Sequence, residues 1–79
     1  MEWQAYIVTD PAICGGRPHV RGTRLTVELL LDLLAAGWTG QTLLEEYPHL
    51  SAEALRAVFA FSHDSIRHEH FSPGPVAIA

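Results

Sequence analysis

Apolar and polar positions along this chain change rhythm as it proceeds. Ala5-Tyr6-Ile7-Val8-Thr9 is rich in β-branched and aromatic residues and stops at Asp10-Pro11, which predicts a short strand closed by a turn. A second short strand is expected at Pro18–Arg21 and a third at Arg24–Thr26, joined by a tight turn at Gly22. From residue 27 the period lengthens. Thr26 suits the N-cap of a helix from Val27 to about Ala36, Glu28 complements its first turn, and Gly37 stops it. Thr39 opens a second helix, Gly40 to Glu46, with Leu43 and Leu44 facing inward. Pro48 then forces a turn over Tyr47-Pro48-His49-Leu50. Ser51 caps a third helix that runs to Arg67 or His70, before Ser72-Pro73-Gly74 breaks it.

The faces of these helices carry the next layer of expectation. The first is apolar on nearly every side, with Glu28 and Asp32 marking a narrow polar stripe. A small domain has difficulty covering such a helix alone, so a homodimer is expected, with Leu30 and Leu31 at its interface. On the third helix, Leu55, Val58, Phe59, Ser62 and Ile66 form the expected core stripe. Glu53, Arg56, Ala60, His63, Asp64 and Arg67 form the opposite, wet face. Ala54, Ala57 and Phe61 fall between them, and Phe61 reads as a partner contact. The end of the chain, residues 71–79, cannot be helical through Pro73 and Pro75, yet Val76 and Ile78 make it apolar.

Composition narrows the class. The chain has 79 residues, a net charge of −4 and one cysteine. The sequence reads as one domain, with a β arm at 1–26, a helical bundle at 27–70 and a tail at 71–79. A lone Cys14 forms no disulfide within the chain and favours a reducing, cytoplasmic setting. The start of the sequence lacks a secretory pattern, and its longest apolar run is too short to span a bilayer, so no membrane partner is expected. All five basic residues are arginine, and three of them stand within Gly15-Gly16-Arg17-Pro18-His19-Val20-Arg21-Gly22-Thr23-Arg24. Glycine and proline at these positions predict a rigid turning segment that presents charge.

Arg17, Arg21 and Arg24 suit phosphate oxygens or the acidic cleft of a protein partner; pairing with Asp10 or Glu28 is the structural alternative, and the rigid glycine–proline frame favours interaction over it. The second and third helices have the proportions of a helix-turn-helix, which adds Arg56 to the candidate nucleic-acid contacts. Glu53 at the head of the third helix, and the acidic balance overall, oppose phosphate binding. His63, Asp64, His68 and His70 lack the spacing for ligands on one helical face, so no metal is expected. No carboxylate pair, nucleophile–base set or phosphate loop appears, so neither catalysis nor a cofactor is expected.

The order Tyr6-Ile7-Val8, Asp10-Pro11, Ile13, Gly15-Gly16, Pro18, Val20, Gly22-Thr23-Arg24-Leu25, Val27 continues through Leu33-Leu34-Ala35, Gly37, Leu44, Glu46-Tyr47-Pro48 and Leu50-Ser51. Over roughly residues 6 to 62 this resembles the signature of domain-of-unknown-function family 433. The resemblance implies a mainly α fold, a homeodomain-like three-helix bundle with a helix-turn-helix after a short N-terminal β element. It also implies an antitoxin of a type II toxin–antitoxin pair. Such an antitoxin binds a PIN-like ribonuclease toxin directly and, as a dimer, its operator DNA. The alternative is a protein-interaction module whose helix-turn-helix has no DNA role. For the toxin interface the sequence offers Arg17, Arg21, Arg24, Phe61, Val76 and Ile78.

Overall fold

The computed structural model describes residues 1–68, so Val76 and Ile78 lie outside the described residues. A 3-10 turn at Trp3–Ala5 leads into strand β1, Ile7–Val8, and a second 3-10 turn at Cys14–Gly16 leads into β2, His19–Val20. Helices α1 (Val27–Ala35), α2 (Gly40–Glu46) and α3 (Ala52–His68) follow. The mainly helical fold with a small N-terminal β element is therefore as expected.

Each helix starts where its cap dictates. Thr26, Thr39 and Ser51 accept hydrogen bonds from the amides of Leu29, Thr42 and Ala54 at 3.0, 3.1 and 3.0 Å. Gly37 ends the α1 region at φ 106°, a conformation that costs glycine least.

The strands are shorter than the residue types suggest. β1 and β2 pair antiparallel with Ile7 opposite Val20 and Val8 opposite His19. Residues 3–5 coil into their 3-10 turn, with the Tyr6 amide donating to the Trp3 carbonyl at 2.9 Å, and this removes Ala5 from the strand. No third strand forms at Arg24–Thr26. Thr26 makes a single bridge to His19, flanked by Val20 N–H to Leu25 O at 2.9 Å and Val27 N–H to Pro18 O at 3.0 Å. The Gly22 turn and the immediate start of α1 leave no length for more.

The core gathers Ile7, Val20, Val27, Leu30, Leu43, Leu50, Ala54, Leu55, Ala57 and Val58. Two expectations about helix faces fail here. Leu30 is fully buried within its own chain, so it cannot serve as a dimer contact. Leu31, Leu33 and Leu34 are half-buried against the same core, so α1 is covered on most sides without a partner. On α3 the buried face is Ala54, Leu55, Ala57 and Val58, with Phe61 packed against it. Phe59 and Ile66, expected in the core stripe, are 49% and 60% exposed. The true core face is rotated about a quarter turn from the expected one.

The N-terminal segment causes that rotation. Trp3 packs edge-on against Phe61, with ring centroids 4.8 Å apart and planes at 80°. Its indole N–H donates to Asp64 Oδ2 at 2.8 Å. The start of the chain thus covers the Ala57–Phe61–Asp64 side of α3, and Phe59 and Ile66 turn toward solvent.

Candidate binding surface

The glycine-rich segment is built from the backbone outward. Cys14, Gly15 and Gly16 occupy consecutive positive-φ positions at 53°, 65° and 82°. Gly16 N–H donates to Ile13 O at 3.0 Å and Arg17 N–H to Cys14 O at 3.1 Å, closing a compact turn. Gly22, at φ 78°, makes a second turn. Around it Thr23 N–H and Thr23 Oγ1 both donate to Val20 O, at 3.0 and 2.8 Å, and Thr23 Oγ1 accepts from Leu25 N–H at 3.0 Å. Arg21 N–H donates to Tyr6 O at 2.8 Å, which ties the same segment to the end of the first turn.

Between the turns Val20 and His19 are buried. His19 is a core residue that the sequence pattern did not single out, and its Nδ1 lies 3.1 Å from Arg17 O. Its neighbours explain its place: it sits in β2, paired to Val8 and bridged to Thr26, so its ring has no route to solvent. The segment is consequently a docked loop with a fixed backbone.

Its arginine side chains, by contrast, all point outward. Arg17, Arg21 and Arg24 are exposed, and so is Arg56 on α3. Arg17 lies 3.8 Å from Glu28, an exposed pair of small energetic weight. Among the described residues Arg21, Arg24 and Arg56 make no ion pair. Phe61 is half-buried beneath Trp3, so its own chain satisfies most of its apolar surface.

Two clefts border the segment. One, of about 640 Å³, lies between the Gly22 turn and the α2–α3 turn, with Ile13, Leu25, Tyr47 and Pro48 as apolar wall and Arg24 and His49 as polar members. The other, of about 510 Å³, runs between α1 and α3 and is lined by Val27, Leu31, Phe61 and Ile66, with Arg17, Glu28 and Asp32 also bordering it. Leu31, unlike Leu30, therefore keeps a surface role. Arg56 borders neither cleft, so the four arginines expected to meet nucleic acid do not converge on one of them.

Phe59 and Ile66 were missed as surface residues. The signal for them was Ala54 and Ala57: small side chains three apart mark the side of a helix that another segment can approach closely.

The charge on the α2–α3 pair is predominantly acidic. Glu45 and Glu46 on α2 and Glu53 on α3 are exposed, against Arg56 alone in the first turns of α3. At the other end of α3, Asp64 is held below the ordinary carboxylate range. The Trp3 hydrogen bond is the main cause and the His63 contact at 3.4 Å the second, opposed by some desolvation. No group of three metal-ligating side chains gathers among the described residues, and no described helix is long and apolar enough to cross a membrane.

Residues 7–62 match the family described as Protein of unknown function (DUF433). A protein of Sinorhizobium fredii strain NGR234, named "Uncharacterized protein y4eO", is 42% identical over 50 residues. That stretch is 63% of this chain and 23% of the relative, so the chain spans about a quarter of that protein's length. The crystal structure of a DUF433 member protein from Anabaena variabilis ATCC 29413 superposes with a TM-score of 0.73 at 33% identity, over 84% of this chain and 68% of that one. With the family matched across both strands, α1, α2 and most of α3, this chain belongs to DUF433.

Proposed function

We propose that this protein is the antitoxin of a type II toxin–antitoxin pair, and that it neutralises a PIN-like ribonuclease by direct binding. One observation carries the reading: the backbone of residues 14–25 is locked by hydrogen bonds while Arg17, Arg21 and Arg24 extend from it into solvent. Fixing the backbone in advance lowers the ordering cost of association. A guanidinium makes paired hydrogen bonds to carboxylates, and a metal-dependent nuclease site is rich in carboxylates. The cleft beside Arg24 adds an apolar wall of Ile13, Leu25 and Pro48 for a side chain of the toxin. Of the other expected contacts, Phe61 is mostly used by Trp3, which shifts the weight onto the arginines.

The helix-turn-helix contributes little to DNA affinity in this reading. Glu45, Glu46 and Glu53 would meet phosphate with like charge, which favours a protein partner over an operator. Any operator affinity then rests on Arg17, Arg21, Arg24 and Arg56, and falls steeply with salt.

Co-expression with the adjacent reading frame tests the proposal. The two proteins should co-purify and this chain should restore growth. Arg21→Ala together with Arg24→Ala should weaken the complex by about a thousandfold, because each desolvated charge contact is worth about 2 kcal/mol or more when truncated. Both side chains are exposed, so the variant should keep its circular dichroism. A pair that does not co-purify, or full rescue by Arg17→Ala, Arg21→Ala and Arg24→Ala combined, refutes the assignment.

A further inference from the structure

The α1–α3 groove and the ridge beside it meet the toxin reading only at Arg17 and Phe61, and helical spacing joins them into one surface. On α1, Glu28, Leu29 and Asp32 are exposed. On α3, Arg56, Phe59, His63, Ile66 and Arg67 are exposed. Between them lies the groove of about 510 Å³, with Val27, Leu31, Phe61 and Ile66 in its walls. Phe59 and Ile66 stand seven residues apart, two helical turns, and therefore share one ridge. Across the surface an edge led by Glu28 and Asp32 is followed by an apolar centre and then by Arg56, His63 and Arg67, with Glu53 and Asp64 beyond them on the same face of α3.

Such an order is complementary to itself. A half-turn about an axis through the centre lays the basic edge of one copy on the acidic edge of the other while the apolar centres meet. A foreign partner of uniform charge would instead meet one edge of its own sign. Among the described residues Asp32, Arg56 and Arg67 have no ion-pair partner, so these charges are available. Arg17 also borders the groove but already lies 3.8 Å from Glu28, which leaves Asp32 as the principal acid of that edge.

We propose that this surface is a two-fold homodimer interface. The Phe59–Ile66 ridge of one copy enters the α1–α3 groove of the other, against Val27 and Leu31, and Arg67 on the far side of the ridge reaches Asp32. Burial of Phe59, Ile66 and the groove supplies the affinity. The rim charges set the orientation, since exposed pairs are individually weak. The interface uses neither Arg21 nor Arg24 and stands independently of the toxin.

Sedimentation equilibrium of the full 79-residue chain tests it. In the micromolar range the mass should be that of two chains. Phe59→Asp or Ile66→Asp should raise the dissociation constant about a hundredfold with helicity unchanged, because both side chains are exposed in the single chain. Asp32→Arg and Arg67→Asp should each weaken the dimer about threefold, and the double exchange should restore it. A one-chain mass for the unmodified protein overturns the proposal. A dimer indifferent to Phe59→Asp and Ile66→Asp overturns it as well, and a double exchange no better than its singles overturns the half-turn arrangement. Arg21→Ala with Arg24→Ala should leave the mass unaltered, which separates this result from failure of toxin binding.

Discussion

At the scale of single residues, burial separates two adjacent leucines that look equivalent in sequence. Leu30 is fully enclosed, whereas Leu31 is half-buried at the edge of the α1–α3 groove. Leu30→Ala should therefore cost about 3 kcal/mol in unfolding free energy, and Leu31→Ala about 1 kcal/mol, as read by urea denaturation of the same preparation. Equal losses would contradict the packing described for α1. Gly22 offers a cleaner test of backbone conformation. A Cβ there meets nothing within 4 Å, but φ is +78°. Gly22→Ala should thus destabilise by about 1 kcal/mol through conformation alone, leaving the side-chain environment unchanged.

At the scale of elements, the contact between the first turn and α3 makes a pH-sensitive joint. Asp64 is ionised more readily in the folded chain than in the unfolded one, so it contributes stability above the ordinary carboxylate range. That contribution disappears as pH falls through the depressed folded value. Stability measured across mildly acidic to strongly acidic conditions should decline on this account, and Asp64→Asn should flatten part of the decline. Trp3→Phe should have a similar effect, because it removes the indole donor while keeping a ring on Phe61.

The same joint explains what the sequence could not reveal. All three helices and their caps were legible, because Thr26, Thr39, Ser51, Gly37 and Pro48 act within a few residues of themselves. The exposed arginines were legible too, since glycine and proline announce a constrained turn. The orientation of α3 was not. It depends on Trp3, 61 positions distant from Asp64, and no local period encodes that contact. The burial of His19 was hidden for the same reason, being decided by strand partners and not by its neighbours in sequence.

At the scale of the whole molecule, charge is divided by region. Acids dominate α1, α2 and the head of α3, while the exposed arginines lie on the glycine-rich segment and along α3. This separation permits two protein contacts at once, a toxin at the Arg21–Arg24 end of the glycine-rich segment and a second copy at the α1–α3 surface. A co-purified complex should accordingly contain two copies of each protein by light scattering. The Phe59→Asp variant should reduce this to one of each without abolishing toxin binding.

The hydrogen bond from Trp3 to Asp64 also has a topological consequence. It brings the first and last turns of the described chain together, so the order in which the segments are joined matters less than their packing. A circular permutant follows from that proximity. Linking the end of α3 to the start of the chain with a few glycines, and opening new termini at the exposed Pro48–His49 turn, should give a protein with native helicity. Loss of cooperative unfolding in that permutant would mean that the Trp3–Asp64 contact needs the α2–α3 turn intact.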